Sequence, residues 1–187
     1  MTEKKLDGKN LTMLTDFYEM TMANGYLANG YKDTIAYFDM FFRRVPNGGG
    51  FAIMAGVQQL VDYLNDLTFT QEDIDYLRST GIFSEAFLDY LADFRFCCDI
   101  WAIPEGTPIF PGEPIVTVRG PVIQAQLIET MLLLTINHQS LIATKANRIV
   151  RAAQGRAVME FGSRRAQGPD GDTVLGFLQQ GDEGRAA

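Results

Sequence analysis

Ser163, Arg164 and Arg165 directly follow the run Ala157 to Gly162. Two arginines in a glycine-flanked loop are able to hold a phosphate through paired, charge-assisted hydrogen bonds. Phe161 beside them offers a face on which a planar ring can stack. Taken alone, the arginines read better as surface charges and Phe161 as core, since a double arginine is common. Arg43 and Arg44 precede the triple glycine Gly48 to Gly50, a turn able to cradle an anion. It lacks the spaced glycines and the lysine of a P-loop, so a plain basic turn is the simpler reading.

Tyr18, in TDFYEM, sits near a helix start, where a ligand contact is open to it although a lone aromatic more often packs. His138 is the sole histidine and so invites a general-base reading. It lies inside a long helical run, however, and Asn137, His138 and Gln139 read better as a group hydrogen-bonding between helices. Lys145 and Arg148, one turn apart in ATKANRIV, read as structural or solvated. Nothing resembles a Ser-His-Asp triad, a zinc site or a dinucleotide fingerprint.

These residues need elements to place them. A helix is expected from Thr15 or Asp16 to Ala28, ended by Asn29-Gly30. Ile35 to Phe42 reads as a buried strand. Val57, Leu60, Val61, Leu64 and Leu67 share one helix face. Thr70 is an N-cap for QEDIDYLRST, with acids in the first turn and Gly81 past the end. Ser84 caps another helix, with Phe87, Leu91 and Phe94 on one face. Residues 99–121 hold five prolines and short β-prone runs, which predicts a small turn-rich β module. From Val122 to Gln154 the chain reads as helix with at least one break, and Gly155 stops it. Ala157 to Gly162 then reads as a short buried strand. Ligands in parallel α/β folds gather at the carboxyl ends of strands, which directs attention to the loop after Gly162.

Composition narrows the function classes. The 187 residues are 47% hydrophobic and carry a net charge of −7, enough apolar content for one substantial core. An acidic chain repels nucleic acid and anionic membrane, so neither is expected as a partner. Cys97 and Cys98 are adjacent, unsuited to an ordinary disulfide and far from other metal ligands, and they fit a reducing cytoplasm. No signal peptide is visible, and the run Leu127 to Ile136 is too short for a bilayer.

LTDFYEMTMANGY, FFRRVPNGGGFAIMAG, IPEGTPIFPGEPIVTVRGP, INHQSLIATKANRIV and EFGSRRAQGPD stand in this order from Leu11 to Asp170. Together they resemble the nicotinate phosphoribosyltransferase family. The resemblance implies an α/β protein: an α+β N-terminal domain over residues 1–121, then the beginning of an irregular α/β barrel over 122–170. It implies the substrates nicotinate and phosphoribosyl pyrophosphate, coupled ATP hydrolysis through a phosphorylated histidine, Mg²⁺ at the pyrophosphate, and a homodimer with a shared site. By resemblance, Tyr18 and Phe161 are the two aromatic faces on the pyridine ring. Arg164 is a contact to a ring substituent or a phosphate, and Arg43 a further phosphate contact. Residues 171–187 depart from the family pattern and read as a truncation or frameshift. His138 does not match the phosphorylated histidine. The chain by itself is therefore expected to be inactive. Two other readings stay open: a sister enzyme using nicotinamide, and a non-catalytic fragment that binds or poisons a full-length subunit.

Overall fold

A computed structural model describes residues 10–159 and 161–165 of the chain. The order is α1 (Phe17–Ala28), β1 (Ile35–Met40), β2 (Ala52–Ile53), α2 (Val57–Asp66), α3 (Gln71–Ser79), α4 (Glu85–Ala92), β3 (Asp99–Ala102), β4 (Pro108–Ile109), β5 (Val116–Pro121), α5 (Val122–Leu127) and α6 (Glu129–Ala153). Helices and strands are mixed and largely segregated, as in an α+β domain. The described chain divides into two units. The first takes 10–40, Gln58–Ala102 and Val116–Leu133; the second takes Phe41–Val57, Ile103–Ile115 and the described residues from 134 onward.

Local chemistry explains the helices of the first unit. Thr70 accepts from the Asp73 N–H and the Asp73 carboxylate accepts from the Thr70 N–H, a reciprocal capping box at the start of α3. The Ser84 hydroxyl caps α4 by accepting from the Phe87 N–H. α3 and α4 pack together, and α1 packs on α4 and α5. Their common core is aromatic. Phe87 and Leu91 are fully buried, and rings follow one another from Phe17 to Phe83 (5.9 Å), Phe87 (5.6 Å), Tyr90 (6.4 Å) and Phe94 (6.2 Å). The face expected on α2 is narrower than its spacing predicts. Leu60 and Leu67 are buried, with Tyr63 between them, while Val61 is exposed at the edge.

The sheet of the first unit is antiparallel, in the order β1-β5-β3. Register places Tyr37 opposite Arg119, and Arg119 opposite Asp99. β1 is not the buried strand its composition predicts. α5 packs on β1 and β5, and alternation turns every second side chain away from the core. Tyr37 is 65% exposed and Ile35 is exposed on the same face, while Phe38, on the opposite face, is 40% exposed because α5 does not cover it completely. Arg119 spans this outer row, donating to the Tyr37 hydroxyl at 2.9 Å and to Asp99 at 3.0 Å.

Segment 99–121 does supply three strands, but to two sheets. β3 and β5 join β1, whereas β4 pairs with β2 in the second unit. That two-stranded ribbon lies along α6 and is tied to it by side chains. The Ile53 N–H donates to Thr144 Oγ1 at 2.8 Å, and the Ala55 N–H to Ser140 Oγ at 3.1 Å. Gly56 follows with φ +99, and a Cβ there would press on the Thr135 carbonyl and the Gln139 side chain. The expected helical break is a single residue, Ile128, between α5 and α6. Gly155, at φ +81, follows the end of α6.

The strand expected at Ala157 to Gly162 is a correction. Residues 157–159 form no ladder, Glu160 lies outside the described residues, and Met159 and Phe161 are exposed. A strand is stabilised by bonds to a neighbour, and none of the five described strands lies beside this one. The region 171–187, read as divergent, lies outside the described residues.

Candidate functional site

Tyr18 stands in the first turn of α1, 48% exposed. The turn is held from below by Glu19, which is fully buried. Thr15 Oγ1 donates to one oxygen of Glu19, and Thr130 Oγ1 to the other at 3.2 Å. The Asp16 N–H in turn donates to Thr130 Oγ1 at 3.1 Å. Desolvation, and then the neighbouring Glu129 carboxylate, push the Tyr18 hydroxyl above its ordinary value.

Burial lifts the Glu19 carboxyl above its ordinary 4.5, more than the two threonine hydrogen bonds lower it. Between 4.5 and that raised value the folded chain holds a proton that the unfolded chain releases. The contribution to stability is therefore largest below 4.5 and is lost as pH rises through the folded value. The Glu19→Gln variant keeps hydrogen-bonding capacity without charge. Its melting temperature relative to the parent is expected to climb as pH rises above 4.5. A difference that stays constant with pH contradicts this account.

The other three expected site residues fall in the second unit. Arg43 is exposed, three residues ahead of a turn over Pro46–Gly48. Phe161 is 75% exposed, and Arg164 is exposed within the turn Ser163–Arg165. Among the described residues no ion pair or hydrogen bond joins Arg43, Phe161 and Arg164 into a cluster. Each is available to a ligand and none is committed to the fold.

The second unit also holds a cleft of about 510 Å³, lined by Pro46, Asn47, Leu141, Thr144, Lys145, Arg148, Ile149 and Ala152. Asn47 adopts the left-handed conformation (φ 58, ψ 31) that asparagine tolerates better than most residues. Gly48 follows it at φ +64. The Arg148 guanidinium lies against Gly49, in space a side chain there would take. Among the described residues no carboxylate lines the cleft. Lys145 and Arg148, read from the sequence as structural or solvated, are exposed and half-buried respectively, and both line this cleft. The signal was present in the sequence. Leu141, Lys145, Arg148 and Ala152 recur at helical spacing, two cations on a stripe otherwise fit for burial.

His138 is half-buried on α6, and its Nε2 has no hydrogen-bond partner among the described residues. Burial, then Cys97 and Asp99, push the Cys98 thiol up to about 12, so it is no nucleophile at neutral pH. Among the described residues, no three His, Cys, Asp or Glu side chains converge as metal ligands. No described helix is long and apolar enough to cross a membrane.

Residues 13–137 match the nicotinate phosphoribosyltransferase (NAPRTase) N-terminal domain. The chain is 48% identical over 158 residues to a nicotinate phosphoribosyltransferase of Mycobacterium tuberculosis, covering 84% of this chain and 34% of that protein. It is 39% identical over 170 residues to one from Bacillus subtilis, covering 91% of this chain and 35% of that protein. The crystal structure of the human nicotinic acid phosphoribosyltransferase superposes with a TM-score of 0.78 at 37% identity, covering 89% of this chain and 34% of that one. The chain thus spans about a third of the length of the relatives it matches.

Proposed function

Because the chain belongs to the nicotinate phosphoribosyltransferase family through that family's N-terminal domain, we propose that it supplies the ring-holding part of an enzyme joining nicotinate to phosphoribosyl pyrophosphate. The observation that carries the reading is the match over residues 13–137, which includes Tyr18 and Arg43. In the reaction the pyridine nitrogen bonds to ribose C1 as the C1–pyrophosphate bond breaks. The products are nicotinate mononucleotide and pyrophosphate, which places the enzyme in NAD biosynthesis. Positive charge develops on the sugar and negative charge on the leaving group, so fixed cations at the phosphates favour the transition state.

Within this reading Tyr18 offers its ring to the site of a second copy of the chain and Phe161 to the site of its own, and the exposed face of each supports its role. Arg164 meets the ring carboxylate or a phosphate, and Arg43 a phosphate. An exposed guanidinium outside any ion pair among the described residues suits either role, since its planar fork matches both anions. Mg²⁺ does not find a protein cage among the described residues. Held through substrate phosphates rather than by the protein, the ion would neutralise charge on the leaving group. ATP coupling, a homodimeric assembly and a cytoplasmic location belong to the same proposal, as does an α/β barrel begun at residue 122. We propose further that the chain does not turn over alone, because two thirds of the relatives' length has no counterpart in it.

Nicotinamide is the competing substrate. Nicotinate is favoured because its carboxylate gives Arg164 an anionic partner. The test is a chimera in which residues 11–165 replace the matching segment of the Mycobacterium tuberculosis relative, assayed with nicotinate and with nicotinamide. Product from nicotinate in clear preference supports the reading; preference for nicotinamide overturns it.

A further inference from the structure

The cleft between the Pro46–Gly49 turn and α6 contains none of the four residues assigned above. Its chemistry is nevertheless specific. Lys145 and Arg148 project from one stripe of α6, and neither makes an ion pair among the described residues. Among the described residues no carboxylate joins the lining, so Lys145 and Arg148 set a positive field there although the whole chain is acidic. Arg148 is held in place, because the bare backbone of Gly49 makes the room its guanidinium occupies. Asn47, fixed in a left-handed turn, adds an amide at the rim. The remaining walls are the apolar Pro46, Leu141, Ile149 and Ala152. Thr144 is already engaged, donating to the Ser140 carbonyl at 2.6 Å and accepting from the Ile53 N–H.

We infer that this cleft binds an organic phosphate monoester, the phosphate between Lys145 and Arg148 and the carbon body against Leu141 and Ile149. A volume of about 510 Å³ is far more than a bare phosphate needs and lies in the usual range for small-molecule sites, about 300–1,000 Å³. Two cations on a rigid helix, one guanidinium already seated, match a phosphate group with little ordering cost.

Ribose 5-phosphate and inorganic phosphate are the probes, titrated calorimetrically into the 187-residue chain. Ribose 5-phosphate is expected to bind saturably, more tightly than inorganic phosphate, and more weakly as salt rises. Lys145→Glu and Arg148→Gln are each expected to weaken it by about tenfold or more. Arg151→Ala, an exposed cation on the same helix outside the cleft, leaves it unchanged. Lys145 is itself exposed, so its variant is expected to keep the parent circular dichroism spectrum. Four results overturn the inference. They are no saturable binding by the parent, equal affinity for inorganic phosphate, parent-like affinity in a folded Lys145 or Arg148 variant, and equal weakening by Arg151→Ala. The assay needs no turnover, so its outcome is separate from that of the proposed reaction.

Discussion

In the chimera that carries residues 11–165, Arg164→Ala is expected to lower kcat/KM for nicotinate by about a hundredfold or more. The guanidinium is exposed in a short turn and makes no ion pair among the described residues, so its removal leaves no buried charge behind. The loss then reports on substrate rather than on folding. A contact to the ring carboxylate is made before and during the reaction and raises KM. A contact to the departing phosphate strengthens as charge develops and lowers kcat. Arg164→Lys retains the charge without the planar fork and is expected to recover only part of the rate. Parent-like kcat/KM in Arg164→Ala removes Arg164 from the site.

The largest expected effect on stability is at Phe87. Its ring is fully buried in the first unit and sits between Phe83 and Tyr90. Phe87→Ala deletes a whole aromatic side chain from the middle of that ladder, a change that costs about 3–5 kcal/mol. For a chain of this size each kcal/mol lowers the melting temperature by about 2–4 °C, so a drop on the order of 10 °C is expected. Thermal unfolding followed by circular dichroism checks it. A shift of a degree or two places the core of the first unit elsewhere.

Much of the architecture is legible in the sequence where local chemistry decides it. Thr70 with Asp73, and Ser84 ahead of Phe87, announce their helices because a side-chain oxygen is spaced to meet an orphan N–H. Gly81, at φ +68, and Gly155 mark chain reversals for the same local reason. The outcome is different where a partner far along the chain decides. β2 and β4 are two residues each, too short to show any periodicity, and they exist because Ala52 meets Ile109. β1 has the composition of a buried strand, yet Tyr37 faces outward because only one side of its sheet is covered. Ala157 to Gly162 has strand-like residues but no neighbour among the described strands to pair with.

The site divides along the same line. Tyr18 and Arg164 could be singled out because their segments follow the family's order, not because a lone tyrosine or a double arginine is informative. What holds Tyr18 in place was invisible: Thr130 reaches Glu19 across 111 positions of sequence. Lys145 and Arg148 read in the sequence as structural or solvated charges; that the Gly49 turn lies over Arg148 depends on a residue far along the chain and is not legible there.

The most direct test of the central claim is product formation from nicotinate and phosphoribosyl pyrophosphate, measured for the 187-residue chain and for the chimera side by side. The account predicts nicotinate mononucleotide from the chimera and none above background from the chain alone. A folded chimera without product, or turnover by the chain on its own, contradicts it.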